Sequence, residues 1–417
     1  MDKIIIHGGK KLQGTIAISG SKNAALPILV ATLLTDEECV ITNVPQLADI
    51  STTIALLTHI GKKVIQKEDR IVVSRSKPLS SSAPYDLVRK MRASVLVMGP
   101  LAARLGNVKV SLPGGCAIGA RPVDIHLQGF ERLGAKINVC EGYIELKSQK
   151  LIGNKIAFRY PSVGATENLL LASVLAKGTT VIENAAREPE IEDLACVLNK
   201  MGAHVIGAGS KRIVITGTDS LRGFTHSVSP DRIETATYLI AAAITKGDVT
   251  LTNTDASFLT EVIDKLVQSG VRITSTSTGI RATWVKPLKP VSIKSEVYPG
   301  FPTDVQAQWM ALMTTAQGES RIQETVFENR FTHACELQRL GADLKIMGHT
   351  VVVKGVPGLS GAPVMVSDLR AGAALVLAGL VAKGKTEILR IYHLDRGYEH
   401  LEKKLRKLGA GINRVPA

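Results

Sequence analysis

A glycine recurs six times along the chain, at Gly61, Gly134, Gly202, Gly270, Gly341 and Gly409, at intervals of 68 to 73 residues. The flanking residues recur with it. Leu133-Gly134-Ala135-Lys136-Ile137, Met201-Gly202-Ala203-His204-Val205 and Leu408-Gly409-Ala410-Gly411-Ile412 each put an apolar residue before the glycine and a β-branched one three places after it. Glycine just past the last helical turn supplies a left-handed cap, and the β-branched residue opens a strand. A fixed period of this length marks repeated supersecondary units, none of which can bury its apolar face alone.

Each unit carries two unlike helices. The first opens near Lys22, Arg92, Ser162, Asp231, Asp304 or Asp368 and is apolar on nearly every face, as in Ala236–Ile244 and Ala373–Ala382. A helix with no polar face belongs in an interior. The second is amphipathic: Leu401, Leu405 and Leu408, and likewise Leu259, Ile263 and Leu266, fall at i, i+4, i+7, which predicts a helix laid against a sheet with one side wet. Alternating segments such as Val249–Asn253 and Thr180–Glu183 predict strands after the buried helices, and further strands follow each closing glycine. The unit therefore reads βαβαββ. Six copies in 417 residues divide into two α/β domains of three, in line with roughly 150 residues per domain.

Composition narrows the class. Aromatics are only 4% of residues, so cores of this size must be aliphatic and close-packed, and 45% apolar with 21% charged excludes a largely disordered chain. No apolar run, the longest lying around Ala371–Ala382, reaches the roughly 18–20 residues that span a bilayer. Met1-Asp2-Lys3 leads with polar residues, which predicts no signal-peptide core. The five cysteines are scattered and never spaced CxxC, which argues against a disulfide framework or a thiolate zinc site and suits a reducing cytoplasm. No HExxH or other paired-ligand spacing occurs among the histidines, so no metal is expected, and no cofactor. The net charge is +14, compatible with nucleic acid, anionic lipid or small phosphorylated substrates. Nucleic-acid binders concentrate their cations and interleave stacking aromatics. Here the basic residues are dispersed, with a modest cluster only near Lys403–Lys407, which argues against a nucleic-acid partner and against a repeat-built RNA-binding protein.

Helix N-termini present unpaired N–H groups and a partial positive charge, so the starts of the buried helices are expected anion sites, reinforced by Lys22 and Arg92. Ser19-Gly20-Ser21-Lys22-Asn23 either presents Lys22 and Asn23 at such a start or is a plain cap with a solvated lysine; it lacks P-loop spacing. The segment from Leu112 to Asp124 holds three glycines in six residues between two prolines, which describes an exposed loop. Cys116 sits in it, five residues from Arg121, and a nearby cation lowers a thiol's pKa, as suits a proton donor or nucleophile. Cys39, Cys140, Cys196 and Cys335 are expected to be small buried hydrophobes. Asp231, Asp304 and Asp368 are either caps or site carboxylates, and Arg330 and Arg396 either surface cations or anion clamps.

Gly20-Ser21-Lys22-Asn23, Met91-Arg92-Ala93-Ser94, Pro113-Gly114-Gly115-Cys116, Gly119-Ala120-Arg121-Pro122-Val123-Asp124, Ser162-Val163-Gly164-Ala165-Thr166 and Glu183-Asn184-Ala185-Ala186-Arg187-Glu188-Pro189-Glu190 resemble the enolpyruvyl transferase family, in the branch of the UDP-N-acetylglucosamine 1-carboxyvinyltransferases. Phe327-Glu328-Asn329-Arg330-Phe331, Asp368-Leu369-Arg370-Ala371-Gly372 and Leu394-Asp395-Arg396-Gly397-Tyr398 extend the resemblance nearly to the carboxy terminus. It implies two inside-out α/β barrel domains of three βαβαββ units each, over residues 22–229 and over 1–21 plus 230–417, with the amino-terminal strand completing the second domain and the active site in the cleft between them. The implied reaction moves the enolpyruvyl group of phosphoenolpyruvate to the 3′-hydroxyl of UDP-N-acetylglucosamine, the committed step of peptidoglycan synthesis and hence of cell-wall biogenesis, cell shape and division.

The same resemblance makes Cys116 the proton donor and the site of a phospholactoyl adduct, and Asp304 the base, with a role shared by Asp368 left open. It places Lys22, Asn23, Arg121 and Arg396 on phosphoenolpyruvate. Arg92, Pro122, Val123, Asp124, Ile125, Asp304, Val326 and Phe327 fall on the UDP-sugar, with Ser162, Val163 and Gly164 nearby; Arg330 and Arg370 order the closed site. It further implies a cytoplasmic enzyme, a monomer or weak homo-oligomer without membrane insertion. One departure stands out, since Tyr160 falls where some members place a lysine. The shikimate-pathway branch, 3-phosphoshikimate 1-carboxyvinyltransferase, is the alternative. It lacks the cysteine loop and typically has serine where Asn23 follows Lys22.

Overall fold

The computed structural model of the chain describes residues 2–89, 91–112, 123–276 and 278–416. Cys116, Arg121 and Pro122 lie outside the described residues. The chain divides into two compact units, one holding the described residues of 20–229 and the other those of 1–19 and 230–417. Each has its own aliphatic core.

Six four-stranded sheets are present among the described residues, three per unit, and all have one topology. In one repeat, Lys155–Ala157 lies parallel to Thr179–Glu183, which pairs antiparallel with Arg212–Thr216, which pairs antiparallel with His204–Ile206. The helices Val163–Ser173 and Pro189–Lys200 supply the two crossovers, giving the βαβαββ order. Two repeats borrow a strand from the far end of their unit: Cys39–Thr42 takes Thr225–Ser227 as its parallel partner, and Asp248–Thr252 takes Gln13–Ala17. A third is completed by Asp2–His7, inserted antiparallel between Lys385–Leu389 and Gly411–Pro416. The amino-terminal segment thus completes the 230–417 unit, through two strands rather than one. Among the described residues no sheet closes on itself, and each unit packs three open sheets with buried helices.

Those helices are interior, as their composition requires. Every residue of Arg232–Ile244 and of Gln306–Met313 is buried. All six closing glycines have positive φ, between 89° and 128°, where a side chain would be strained. The amphipathic helices differ from expectation in one detail: the buried stripe is Leu259, Val262 and Leu266, with Ile263 only half-buried, because Leu259 lies in a 3₁₀ turn ahead of the helix Thr260–Ser269. Two cysteines also correct the sequence reading. Cys39 is buried and Cys140 half-buried, but Cys196 and Cys335 are exposed, on the wet faces of the helices Pro189–Lys200 and Thr332–Arg339.

Candidate active site

The six buried helices begin where the sequence placed them, by two mechanisms. Ser21, Ser162, Asp231 and Asp368 are N-caps: Ser21 Oγ accepts from Ala24 N at 3.3 Å, and Asp231 Oδ1 accepts from Ile233 N and Glu234 N at 2.8 and 2.9 Å. In the second and fifth repeats a 3₁₀ segment precedes the helix, Arg92–Val97 before Met98–Leu105 and Thr303–Val305 before Gln306–Met313. Arg92 and Asp304 lie in those segments, and neither is a cap.

Within the 20–229 unit, Lys22 is the first residue of the helix Lys22–Ala31 and is buried rather than solvated, its Nζ 3.5 Å from Asp49 Oδ2. Asp49 comes from the first turn of the helix Ala48–Ile60, and sequence spacing gave no hint of it. Asn23 is half-buried beside Lys22, and Pro27 has no N–H to give to the Asn23 carbonyl four residues back.

Val123 precedes the helix Asp124–Arg132, which carries Asp124 and Ile125 in its first turn; Asp124 is ion-paired with Arg159. His126, one residue further on, is buried and joins several predicted site segments. Its Nδ1 lies 3.0 Å from Asn168 Nδ2, while Asn168 Oδ1 accepts from Gly99 N at 2.7 Å and Asn168 Nδ2 donates to Val95 O at 3.1 Å. An amide that donates to Nδ1 leaves the ring proton on Nε2. The Cε1–Nε2 edge of the ring faces Gly164, where an added Cβ would sit 3.4 Å from Cε1. Burial, then the nearby Arg92 charge, pulls the His126 pKa down to about 4, so the ring is neutral at pH 7. Glu167, on the helix that Ser162 caps, is fully buried, and its carboxyl is pushed well above the usual range by burial and by Glu190 and Glu188.

Within the 230–417 unit, three predicted residues meet directly. Arg330 Nη2 donates to Asp304 Oδ1 at 2.7 Å, and Arg370 Nη2 to Asp304 Oδ2 at 2.9 Å. Both guanidinium groups are buried while the carboxylate is partly exposed, its side chain at 27%. Burial works against the Arg370 charge, but Asp304, Tyr398 and Asp231 outweigh it, and its pKa is raised. Glu324, which the sequence reading missed, ties Val326 and Phe327 to this cluster. Its Oε1 accepts from Val326 N at 2.8 Å and Phe327 N at 3.2 Å, and its Oε2 accepts from Thr303 Oγ1, to which Arg330 Nη1 donates at 2.9 Å. The Arg330 guanidinium carbon lies 5.1 Å from the centre of the Phe327 ring.

Asp368 caps the helix Leu369–Val381 through Arg370 N at 2.9 Å and Ala371 N at 3.1 Å, so it orients the residue that grips Asp304. His333, facing both Asp368 and Arg330, is buried, and that burial lowers its pKa to about 4. Arg396 ends the 3₁₀ segment Ile391–Arg396 and is half-buried.

No group of three or more His, Cys, Asp or Glu suited to a metal occurs among the described residues. No helix among them is long and apolar enough to cross a membrane. Within the 20–229 unit the described residues offer cations at helix starts, suited to anionic groups, and within the 230–417 unit one carboxylate held by two arginines, suited to handling a proton.

Known proteins share this organisation. The chain is 64% identical over 413 residues to the UDP-N-acetylglucosamine 1-carboxyvinyltransferase of Endomicrobium trichonymphae, covering 99% of each chain. It is 56% identical over 415 residues to that of Desulfosudis oleivorans, covering 100% of each. Among solved structures, the enolpyruvyl transferase NikO from Streptomyces tendae superposes with a TM-score of 0.91 at 27% identity, over 100% of this chain and 99% of that one. EPSP synthase from Acinetobacter baumannii shares the fold, with a TM-score of 0.78 at 19% identity over 100% of both chains. The model of the family described as EPSP synthase (3-phosphoshikimate 1-carboxyvinyltransferase) matches residues 6–405, and with relatives more than half identical along the whole length, the chain belongs to this family of enolpyruvyl transferases.

Proposed function

We propose that this protein transfers the enolpyruvyl group of phosphoenolpyruvate to the 3′-hydroxyl of UDP-N-acetylglucosamine, with release of phosphate. The observation that carries the reading is the full-length identity of 64% and 56% to proteins that bear this activity in their names. Asn23 after Lys22, and the glycine-rich sequence around Cys116, favour it over the shikimate-pathway branch. Both substrates are anionic cytoplasmic metabolites, which places the enzyme in the cytoplasm, at the entry to cell-wall synthesis.

The chemistry is addition followed by elimination. A proton from Cys116 goes to the methylene carbon of the enol, and the adjacent carbon becomes electrophilic. The sugar hydroxyl bonds to that carbon and gives up its proton to Asp304. The Cys116 thiolate takes back a proton from the methyl group of the resulting tetrahedral ketal phosphate, phosphate leaves with the electrons of its C–O bond, and the vinyl ether forms. Lys22, Arg121 and Arg396 balance the phosphate and carboxylate charge as it shifts. Arg92, Asp124, Ile125, Val326, Phe327 and the capped helix start at Ser162, Val163 and Gly164 hold the UDP-sugar. Asp304 receives that proton while each of its carboxylate oxygens accepts a guanidinium hydrogen bond, one from Arg330 and one from Arg370.

Phosphate release from phosphoenolpyruvate, measured with UDP-N-acetylglucosamine and with shikimate 3-phosphate as rival acceptors, tests the assignment. Release with the first and not the second is expected. The reverse result assigns the chain to the other branch.

A further inference from the structure

Beneath Asp304 in the 230–417 unit lies a short chain of buried polar groups that neither the substrates nor the helix caps account for. Gln308 Nε2 is 2.9 Å from Asp304 O and 3.0 Å from Tyr398 Oη. Tyr398 Oη is 3.0 Å from Thr237 Oγ1, which is 2.8 Å from Ile233 O. The direction of every link is fixed by its ends. A carbonyl only accepts, so the Thr237 hydroxyl donates to Ile233 and must accept from Tyr398. The phenol therefore donates to Thr237 and accepts from the Gln308 amide, whose nitrogen also reaches the Asp304 carbonyl and, at 3.2 Å, Thr237 Oγ1. Burial pushes the Tyr398 pKa up, which keeps the phenol proton in place for this arrangement. The Tyr398 ring also lies under the Arg370 guanidinium, 5.3 Å from its carbon, and Arg370 holds the Asp304 carboxylate at 2.9 Å.

We propose that Tyr398 is a positioning residue for the transfer: it braces Asp304 at both ends, the backbone through Gln308 and the carboxylate through Arg370. Tyr398 sits two residues after Arg396, in the segment that follows the 3₁₀ turn Ile391–Arg396. Its burial in this network ties the placement of that arginine to the placement of the carboxylate. Asp304 lies in a 3₁₀ turn that no side chain caps, and the hydrogen bonds of such turns are poorer in geometry than those of an α-helix. The side-chain network supplies what the cap does not.

The inference rests on the reading that Asp304 handles the acceptor's proton. Its test is steady-state phosphate release by the full chain with phosphoenolpyruvate and UDP-N-acetylglucosamine. Tyr398→Phe keeps the ring under Arg370 and removes only the hydroxyl. Turnover should fall about tenfold, the equivalent of one buried hydrogen bond, with both KM values held within about twofold. In an Asp304→Asn background the same substitution should lower the residual rate by less than about twofold, because the two residues act as a unit. Thr237→Val, which removes the phenol's acceptor, should show the same split between kcat and KM, and it carries the test if the phenylalanine variant does not fold. Full turnover in Tyr398→Phe alongside a crippled Asp304→Asn overturns this proposal alone, as does an additive loss in the double variant. Full turnover in Asp304→Asn overturns the reading of the base and this proposal with it.

Discussion

Lys22 shows how much a side chain's partner matters to what it can do. Its ammonium is buried next to Asp49, so its position is fixed before any substrate arrives. Lys22→Ala should lower kcat/KM by about a hundredfold or more, the usual loss for one strong electrostatic donor, and steady-state kinetics with both substrates checks it. Asp49→Ala leaves the charge but frees its position, so a smaller loss is expected, about tenfold. Equal activity in wild type and Lys22→Ala would remove Lys22 from the site. The cysteines separate by chemistry in the same way. Cys196 and Cys335 are exposed, whereas burial pushes Cys39 up to about 11 and out of reach. A general thiol reagent should therefore label Cys196 and Cys335 readily. A phosphonate epoxide such as fosfomycin, which must first be held by cations, should label Cys116 alone and faster with the UDP-sugar present. Peptide mapping by mass spectrometry reads both outcomes, and epoxide on any other cysteine means Cys116 is misassigned.

Among the elements, the buried helices pack so closely that small residues decide where they meet. Gly99, in the helix Met98–Leu105, gives its N–H to Asn168 Oδ1 of the helix Val163–Ser173, and a Cβ there would lie 2.5 Å from the Asn168 carbonyl oxygen. Backbone cannot retreat as a flexible side chain can. Gly99→Ala should accordingly destabilise the 20–229 unit by about 1–3 kcal/mol and disturb His126 through Asn168, seen as a lower urea midpoint and a shifted imidazole resonance. An unchanged midpoint would mean that the helices separate at no cost. The repeat glycines were legible because a left-handed cap leaves a direct mark on sequence. Gly99 was not: its reason is a neighbour about 70 residues away.

For the molecule as a whole, buried ionisable groups set the response to acid. His126 and His333 fall from an ordinary 6.5 to about 4 in the folded chain. Between those values the unfolded chain takes up protons that the folded chain refuses, so stability drops as pH falls through that window and levels off below it. Each fall is worth on the order of 3 kcal/mol. Glu234, raised by burial from 4.5 to about 7 against the pull of Lys404, works the other way, because the folded state takes its proton first. Melting temperatures between pH 7 and pH 4.5 should fall less in His126→Asn/His333→Asn than in wild type. Glu167, also raised by burial, still opposes in Glu234→Gln, but one opposing contribution is gone and the fall should be steeper than in wild type. Parallel curves for all three would remove these groups as the cause.

The sequence by itself determined the repeat, the buried and amphipathic character of the two helix types, and the residues at which the helices begin. Each depends on near neighbours: a glycine cap at one end, a side-chain cap at the other, and apolar periodicity between. Only the tertiary structure decided which candidate carboxylate was more than a cap. Asp231 and Asp368 cap their own helices, while Asp304 meets Arg330 from a link 26 residues away and Arg370 from a helix start 66 residues away. The same holds for Asp49, His126, Glu324 and Tyr398, whose partners come from other elements. The exposure of Cys196 and Cys335 belongs here too, since a helix position facing water is set by what the helix lies against. Helices leave their mark along the chain because a helix satisfies its backbone groups within a few residues. A charge is satisfied by whatever the fold brings near it, and sequence distance carries no record of that.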